Sequence, residues 1–256
     1  MLAGEAKRMA AGVPNRRYAM LDKLGHPRWH FVWEGNPNIA RPGEKSAGVI
    51  GYVNGKRHYM VDVKPDQYTF KEYQPTPAFI QIERQLPFFA QRAAGAVVYN
   101  PNIKPKASPN KAWGLEHWDE LIALTPGVRW IQLMEPGTQR IGRSEKMDTG
   151  NFLDAVAAMS KAAAVVCHEG ALHHAAAAFG VPTIVIRGGF ISPKVTGYAG
   201  QVDFYVEDAR WPLGCGMRVA CDHCRAAMDA IKPDAVAQAL LGILKSEGRS
   251  QKADLK

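Results

Sequence analysis

The sequence predicts an α/β protein whose carboxyl-terminal part, residues 93–245, is a doubly wound parallel sheet. Three observations carry this expectation. Short apolar runs of strand length alternate with helix-forming stretches throughout 93–245, as parallel strands covered on both faces by helices require. Segment 163–193 holds a complete strand–helix–strand unit with glycines at its pivots. Residues 1–92 are instead dominated by hairpin-type turn signals, which marks a smaller α/β unit with a boundary at Ala93-Ala-Gly95. Residues 246–256 are a tail.

In the amino-terminal part, residues 1–12 read as a short helix. Arg16 to Leu21 and Arg28 to Trp33 read as two strands of a hairpin joined by a Lys-Leu-Gly-His-Pro turn. Trp33 to Asn38 is a tight polar loop, and 41–47 is a connector of Pro, Gly and charge. Val49 to Val53, Tyr59 to Val63 and Tyr68 to Phe70 are further strands. Asn54-Gly55 and Lys64-Pro65-Asp66 supply turn chemistry between them. Phe79 to Ile82 reads as a strand leading into a short helix over Glu83 to Arg92.

Ala96 to Asn100 opens the regular part as a buried strand, followed by a basic loop containing Lys104, Lys106 and Lys111. Glu116 to Leu124 is amphipathic, with Trp118, Leu121 and Ile122 on one helical face. Val128 to Met134 is a strand ended by the turn Glu135-Pro-Gly-Thr138. Thr149 or Asn151 can cap a helix from Phe152 to Lys161. Val165-Val166 is a buried strand broken by His168-Glu169-Gly170. Leu172 to Phe179 is alanine-rich, and Gly180 stops that helix before Val181-Pro182. Thr183 to Ile186 is a β-branched strand ended by Gly188-Gly189. Asp203 to Val206 is one more strand, and Pro233 opens a last helix over Asp234 to Leu244.

The 256 residues suffice for one large domain or two small ones, and 46% hydrophobic with 22% charged residues is ordinary for a globular protein. No run of about 20 apolar residues offers a membrane span. Met1 to Gly12 lacks the apolar core of a signal peptide, so the expected compartment is the cytoplasm. Four cysteines do not make a disulfide framework. The net charge of +8 favours anionic partners: nucleotides, phosphorylated sugars, membrane surfaces or nucleic acid. No dense basic helix or aromatic–basic RNA motif supports the last of these. The dinucleotide fingerprint, the P-loop and the nucleophile elbow are all missing.

Ligands of doubly wound sheets bind at the carboxyl ends of the strands. Here those ends are Cys167 to Gly170 and Arg187 to Pro193. The helix after Gly170 begins with unpaired amides and a favourable dipole, an anion site. Gly188, Gly189 and Ser192 are candidates for its second wall, and Lys111 for its positive charge; alternatively Gly170 serves only the tight turn. His173 can face the same crevice and His174 points elsewhere, since adjacent helix positions diverge. The spacing of His168, His173 and His174 suits a metal poorly. Cys215, Cys221, His223 and Cys224 hold the donors of a zinc site, but only one Cys-x-x-Cys half is present. Buried free thiols or an oxidisable pair fit that pattern equally. Glu34, in Trp-Glu-Gly-Asn-Pro, is a general base facing the crevice or a surface turn residue.

Four segments resemble the carboxyl-terminal half of glycosyltransferase family 9, the ADP-heptose:lipopolysaccharide heptosyltransferase-like proteins. They are Asn110-Lys-Ala-Trp113 with Glu116-x-Trp118-x-x-Leu121; Phe152 to Val166; His168-Glu-Gly-Ala-Leu-His173 with its helix and Gly180-Val-Pro182; and the cysteine cluster with Met228-x-x-Ile231-x-Pro233. The resemblance implies a GT-B fold of two Rossmann-like domains, the amino-terminal one reduced here, with a nucleotide-diphosphate sugar on the carboxyl-terminal one. It implies that Lys111 contacts donor phosphate, and that Glu169, Gly170, Ala171 and Leu172 form the phosphate-binding helix start with His173 behind it. His168 and Glu169 stand where the family has Asp and Ser/Thr. A carboxylate would repel a diphosphate, so Glu169 is expected to bind a ribose or sugar hydroxyl or to face away. The implied reaction passes the sugar to a hydroxyl acceptor, such as an anionic, lipopolysaccharide-like glycan. Glu34 or Asp22 would be its base, and neither metal nor cofactor takes part. The alternatives are a non-catalytic nucleotide-sugar-binding module and, from charge alone, a nucleic-acid-modifying glycosyltransferase.

Overall fold

The computed structural model describes residues 1–51, 56–82, 86–104, 107–135 and 138–253, with side chains up to residue 246. The expected Asn54-Gly55 turn, Lys106, the start of the helix placed at Glu83, the Pro136-Gly137 turn and the last residues of the tail lie outside them.

The chain begins with helix α1 (Leu2–Ala10) and strands β1 (Tyr18–Leu21), β2 (Ile39–Ala40) and β3 (Val49–Gly51). These strands form a parallel sheet in the order β2-β1-β3, not the expected hairpin. Antiparallel pairing after β1 amounts to one bridge, Leu21 to Pro27, with the Asp22 and Arg28 amides donating to the carbonyls of His26 and Met20 at 2.9 and 2.7 Å; it goes no further because β2 and β3 pair with β1 on its two edges. Phe31–Trp33 is a short 3₁₀ turn, with His30 Nδ1 accepting from the Val32 amide at 3.2 Å. Tyr18, Met20, Ile39 and Ile50 meet Leu2 and Ala6 of α1 in a small core of their own.

Strands β4 (Met60–Val63) and β5 (Tyr68–Phe70) form the expected antiparallel hairpin. It does not join the amino-terminal sheet. Tyr59, Met60 and Phe70 pack with Phe190, Val195 and Cys215 far along the chain, and the Tyr68 amide donates to the Gly216 carbonyl at 2.9 Å.

From here the alternation is regular: α2 (Pro87–Ala93), β6 (Val97–Asn100), α3 (Leu115–Ala123), β7 (Trp130–Met134), β8 (Glu145–Asp148), α4 (Phe152–Met159), β9 (Ala164–His168), α5 (Ala171–Phe179), β10 (Thr183–Gly188), α6 (Pro193–Thr196), β11 (Gln201–Tyr205), α7 (Asp222–Ala230) and α8 (Pro233–Ala253). The six strands from β6 on are all parallel, in the order β11-β10-β9-β6-β7-β8. Side chains alternate across the sheet with the period of two that strands impose. Val98, Ile131, Val165 and Cys167 enter a core under α4 and α5, while Val97, Tyr99, Trp130, Val166 and Ile184 meet Trp118 and Leu240 on the other face.

Local signals account for the helix ends. Asn151, rather than Thr149, caps α4: its Oδ1 accepts from the Leu153 and Asp154 amides at 2.8 and 3.2 Å. Thr149 instead donates to the Met134 carbonyl at 3.0 Å. Gly180 ends α5 in the left-handed conformation, φ 68°. Helix α8 runs on to Ala253, beyond the expected end at Leu244.

Candidate functional site

The chain leaves β6 towards β7 and β8 on one side and reaches β9, β10 and β11 on the other, so the strand order reverses between β6 and β9. The crevice outside that point is where open α/β sheets bind ligands. A cavity of about 700 Å³ opens there. Asn100 at the end of β6 and Lys104 and Lys111 of the loop after it line the cavity, with Cys167 to Leu172, His174 and Ala175 from the end of β9 and the start of α5; His174, expected to point elsewhere, faces the cavity. The amino-terminal unit covers it with Met1, Arg28, His30, Trp33 and Arg57.

Lys111 is held by its own turn. Pro109–Lys111 is a 3₁₀ turn, and Ser108 Oγ accepts from the Asn110 amide at 3.3 Å. Asn110 Nδ2 donates to the carbonyls of Met217 at 2.9 Å and Val219 at 2.7 Å, and its Oδ1 accepts from the Cys221 amide at 2.9 Å. Lys111 Nζ thus reaches the Glu169 carboxylate and stands 4.8 Å from the centre of the Phe190 ring. Glu169 therefore neither faces away nor stands free for a hydroxyl; it is the buried counter-ion of Lys111. Burial pushes its carboxyl up, but Lys111, His173 and Arg187 outweigh this and hold it well below the usual carboxylate range.

Gly170 follows. Its amide donates to His173 Nδ1 at 3.0 Å, and His173 Nε2–H in turn donates to the Thr196 carbonyl at 2.9 Å. His173 is fully buried, so it braces the helix start from behind and does not face the crevice. The amides of Ala171 and Leu172 lie in the first turn of α5, where no intrahelical acceptor exists, and both residues line the cavity. A Cβ placed on Gly170 would meet no protein atom within 4 Å, so the backbone here is open to whatever fills the cavity.

The other expected site residues lie elsewhere. A Cβ on Gly188 would come 2.9 Å from Met228 Cε, and one on Gly189 would come 2.5 Å from His223 Cε1. Both glycines make room for α7 rather than for a ligand. Ser192 is buried and caps α6, its Oγ accepting from the Lys194 amide at 3.2 Å. The second wall comes from the loop after β6 instead. Glu34 turns out to pair with Arg41, and Asp22 Oδ1 accepts from the Leu24 and His26 amides at 2.8 and 3.0 Å. Neither lines the cavity, because each serves a turn of the amino-terminal unit. Cys215, Cys221, His223 and Cys224 gather outside it.

Several residues of the cavity carry little or no local signal in the sequence. Asn100 has some, ending a buried strand at the switch point. Arg28, His30 and Arg57 carry no motif, and only the fold brings them over α5.

Two buried histidines make the site acid-sensitive. His168 Nε2 accepts from the Trp113 amide at 3.1 Å; burial, then Lys111, pushes its pKa down to about 3. Burial, then Arg187, does the same for His173, also to about 3. Between those values and the unfolded value near 6.5, the unfolded chain binds protons that the folded one refuses. Stability is thus complete above about pH 6.5 and falls as pH drops, by up to about 1.4 kcal/mol per pH unit for each histidine. Urea unfolding at pH 7.5, 6 and 5 should show this decline, and a flat profile would refute it.

The fold is GT-B-like α/β: a parallel six-stranded sheet between helices, with a crevice at the switch point. No family model matches the chain, and no curated protein matches it. Among solved structures, it is similar to ADP-heptose lipopolysaccharide heptosyltransferase II of E. coli, at 17% identity and a TM-score of 0.51, over 69% of this chain and 56% of that one. It is also similar to E. coli heptosyltransferase WaaC with ADP (18% identity, TM-score 0.42, 65% of this chain and 49% of that one). A glycosyl transferase family 9 protein of Veillonella parvula gives 13% identity and a TM-score of 0.47, over 80% of this chain and 65% of that one. The chain thus spans about half the length of the two heptosyltransferases from E. coli. Among the described residues no helix is long and apolar enough to cross a membrane.

Proposed function

We propose that this chain is a glycosyltransferase that takes its sugar from a nucleotide diphosphate, with the diphosphate on the first turn of α5. The observation that carries it is the open backbone at Gly170, beside Lys111, at the switch point of the sheet. Charge develops on the leaving diphosphate as the glycosidic bond breaks. Fixed amides and an ammonium in a partly closed cavity stabilise that charge without reorganising. Glu169 neutralises Lys111 in the resting state, which leaves the Ala171 and Leu172 amides as the main anion donors. The arginines of the cover, Arg28 and Arg57, suit an anionic acceptor such as a phosphorylated glycan. With Glu34 and Asp22 engaged elsewhere, the exposed carboxylate that lines the cavity is Glu135, at the end of β7, and it takes the base role.

A nucleotide-sugar-binding module without transfer is the second reading, favoured by the engagement of both Glu34 and Asp22 outside the cavity. One experiment separates them. Thermal unfolding is followed with ADP-, GDP-, UDP- and CMP-sugars, alongside sugar release or transfer on the native chain and on Glu135→Gln. A donor present at about 100 times its Kd should stabilise the fold by about 2.7 kcal/mol. A shift with turnover that Glu135→Gln removes supports the transferase; a shift without turnover supports the module. No shift with any donor refutes both.

A further inference from the structure

The cysteine cluster takes no part in the cavity, and its geometry is informative on its own. Three of the four cysteines of the chain gather here with one histidine. Cys215 lies in the loop after β11, Cys221 stands just before the first residue of α7, and His223 and Cys224 belong to its first turn. Cys215 Sγ is 4.0 Å from Cys221 Sγ and 3.0 Å from Cys224 Sγ, and Cys224 Sγ is 3.7 Å from His223 Nδ1. All four donor atoms lie within 4.8 Å of one another. Zinc bonds of about 2.3 Å to sulfur and about 2.0 Å to nitrogen place tetrahedral ligands roughly 3.5–3.8 Å apart, so the observed set surrounds the volume of one ion.

The surroundings are those of a ligand set. His223 Nδ1 faces the sulfurs, while Nε2 points to Asp208 Oδ2 at 3.4 Å. A carboxylate behind a histidine fixes the tautomer that leaves the other nitrogen free to ligate. Trp211 packs on the imidazole, ring centres 4.7 Å apart. Gly189 supplies the space, since a Cβ there would collide with the ring. Arg210 Nη2 donates to the same Asp208 oxygen at 2.6 Å and so holds the carboxylate in place behind the ring.

We propose that Cys215, Cys221, His223 and Cys224 bind one zinc ion in a closed, structural Cys₃His site. Four protein ligands leave no position for substrate, so the ion is a staple. It fastens the loop 215–221, on which two other pieces rest. Gln67 of the hairpin donates to the Cys215 carbonyl at 2.8 Å, and Asn110, next to Lys111, bonds Met217, Val219 and Cys221.

The test uses the full chain, purified under reducing conditions without a histidine tag. Elemental analysis should find one zinc per chain, and cobalt exchange should give the intense visible bands of a tetrahedral thiolate site. Cys221→Ser should lose the metal, whereas Cys167→Ser, a buried cysteine away from the cluster, should keep it. Should Cys221→Ser fold poorly, thiol titration of the native chain replaces it: three thiols should stay unreactive until a chelator is added. Zinc well below one per chain, iron as the resident metal, or a Cys215–Cys224 disulfide in the intact mass would each overturn the proposal. None of these readouts depends on the donor site, so its failure and the failure of this site are distinguishable.

Discussion

Lys111→Met is expected to destabilise the protein by about 3–5 kcal/mol, the usual result of stripping one partner from a buried ion pair. The Glu169 side chain is 3% exposed and that of Lys111 is 18% exposed, so the carboxylate left behind would have little water to turn to. Arg187 remains near it, but with the direct ion pair gone a proton is the main relief. In the native chain its pKa is depressed, so its contribution is present above the unfolded value near 4.5 and is lost as pH falls through the folded one. In Lys111→Met, burial loses its largest counterweight and the pKa rises. The folded state then binds the extra proton, and stability falls as pH rises above 4.5. Near neutrality this group therefore contributes no pH slope in the native chain and a negative one in the variant. Glu169→Gln in the same background removes the stranded charge and should recover most of the loss. Urea titrations of the native chain, both single variants and the double variant measure the coupling. A loss under 1 kcal/mol with additive effects would show that the pair is not the buried contact described here. Donor binding should fall in Lys111→Met, but that variant mixes a folding defect with a lost ligand contact.

The carboxyl-terminal sheet was legible in the sequence because its central strands are buried on both faces. Val97 to Asn100, Trp130 to Met134 and Ala164 to His168 are buried along their whole length and mostly apolar, with Asn100, Gln132 and His168 as their polar members. The punctuation of α5 was equally direct, since the left-handed residue at its end has to be Gly or Asn. Strand β8 left no such trace. It is an edge strand of Glu145, Lys146, Met147 and Asp148, with Met147 alone buried, so neither continuous nor clearly alternating hydrophobicity marks it. The amino-terminal sheet failed for the opposite reason. Its strands are two to four residues long, and parallel pairing joins them across long separations that local turn chemistry does not report. The site divided in the same way. Lys111, Glu169 and Gly170 came together as the topology demands. The Lys111–Glu169 pairing did not show, because nothing local reveals which buried charge answers another 58 positions away. Gly188 and Gly189 suggest ligand space in the sequence, whereas their missing Cβ atoms accommodate Met228 and His223.

Gly170→Ala separates binding from folding, which no change at Lys111 can do. The backbone at Gly170 is extended, with φ 163° and ψ −157°, a conformation open to alanine. The added Cβ meets no protein atom within 4 Å, so the fold has nothing to move. Two small terms then act on stability in opposite directions. Alanine restricts the unfolded chain, a gain of about 0.4–1 kcal/mol. It is also a poorer helix cap than glycine, a loss of the same order. Stability should change by under about 1 kcal/mol. The methyl group nevertheless points into the space where a diphosphate oxygen would approach the Ala171 and Leu172 amides. Overlap of this kind costs about 1–3 kcal/mol, so affinity for the nucleotide sugar should drop roughly tenfold to a hundredfold. Calorimetric titration beside a urea curve reads both quantities on one preparation. Unchanged affinity would mean that the ligand lies elsewhere in the cavity, towards Arg28 and Arg57, and that Gly170 serves the turn alone. A loss of affinity with stability intact would place the diphosphate on the first turn of α5. The lost binding in Lys111→Met could then be assigned to the missing ammonium once its folding defect has been subtracted.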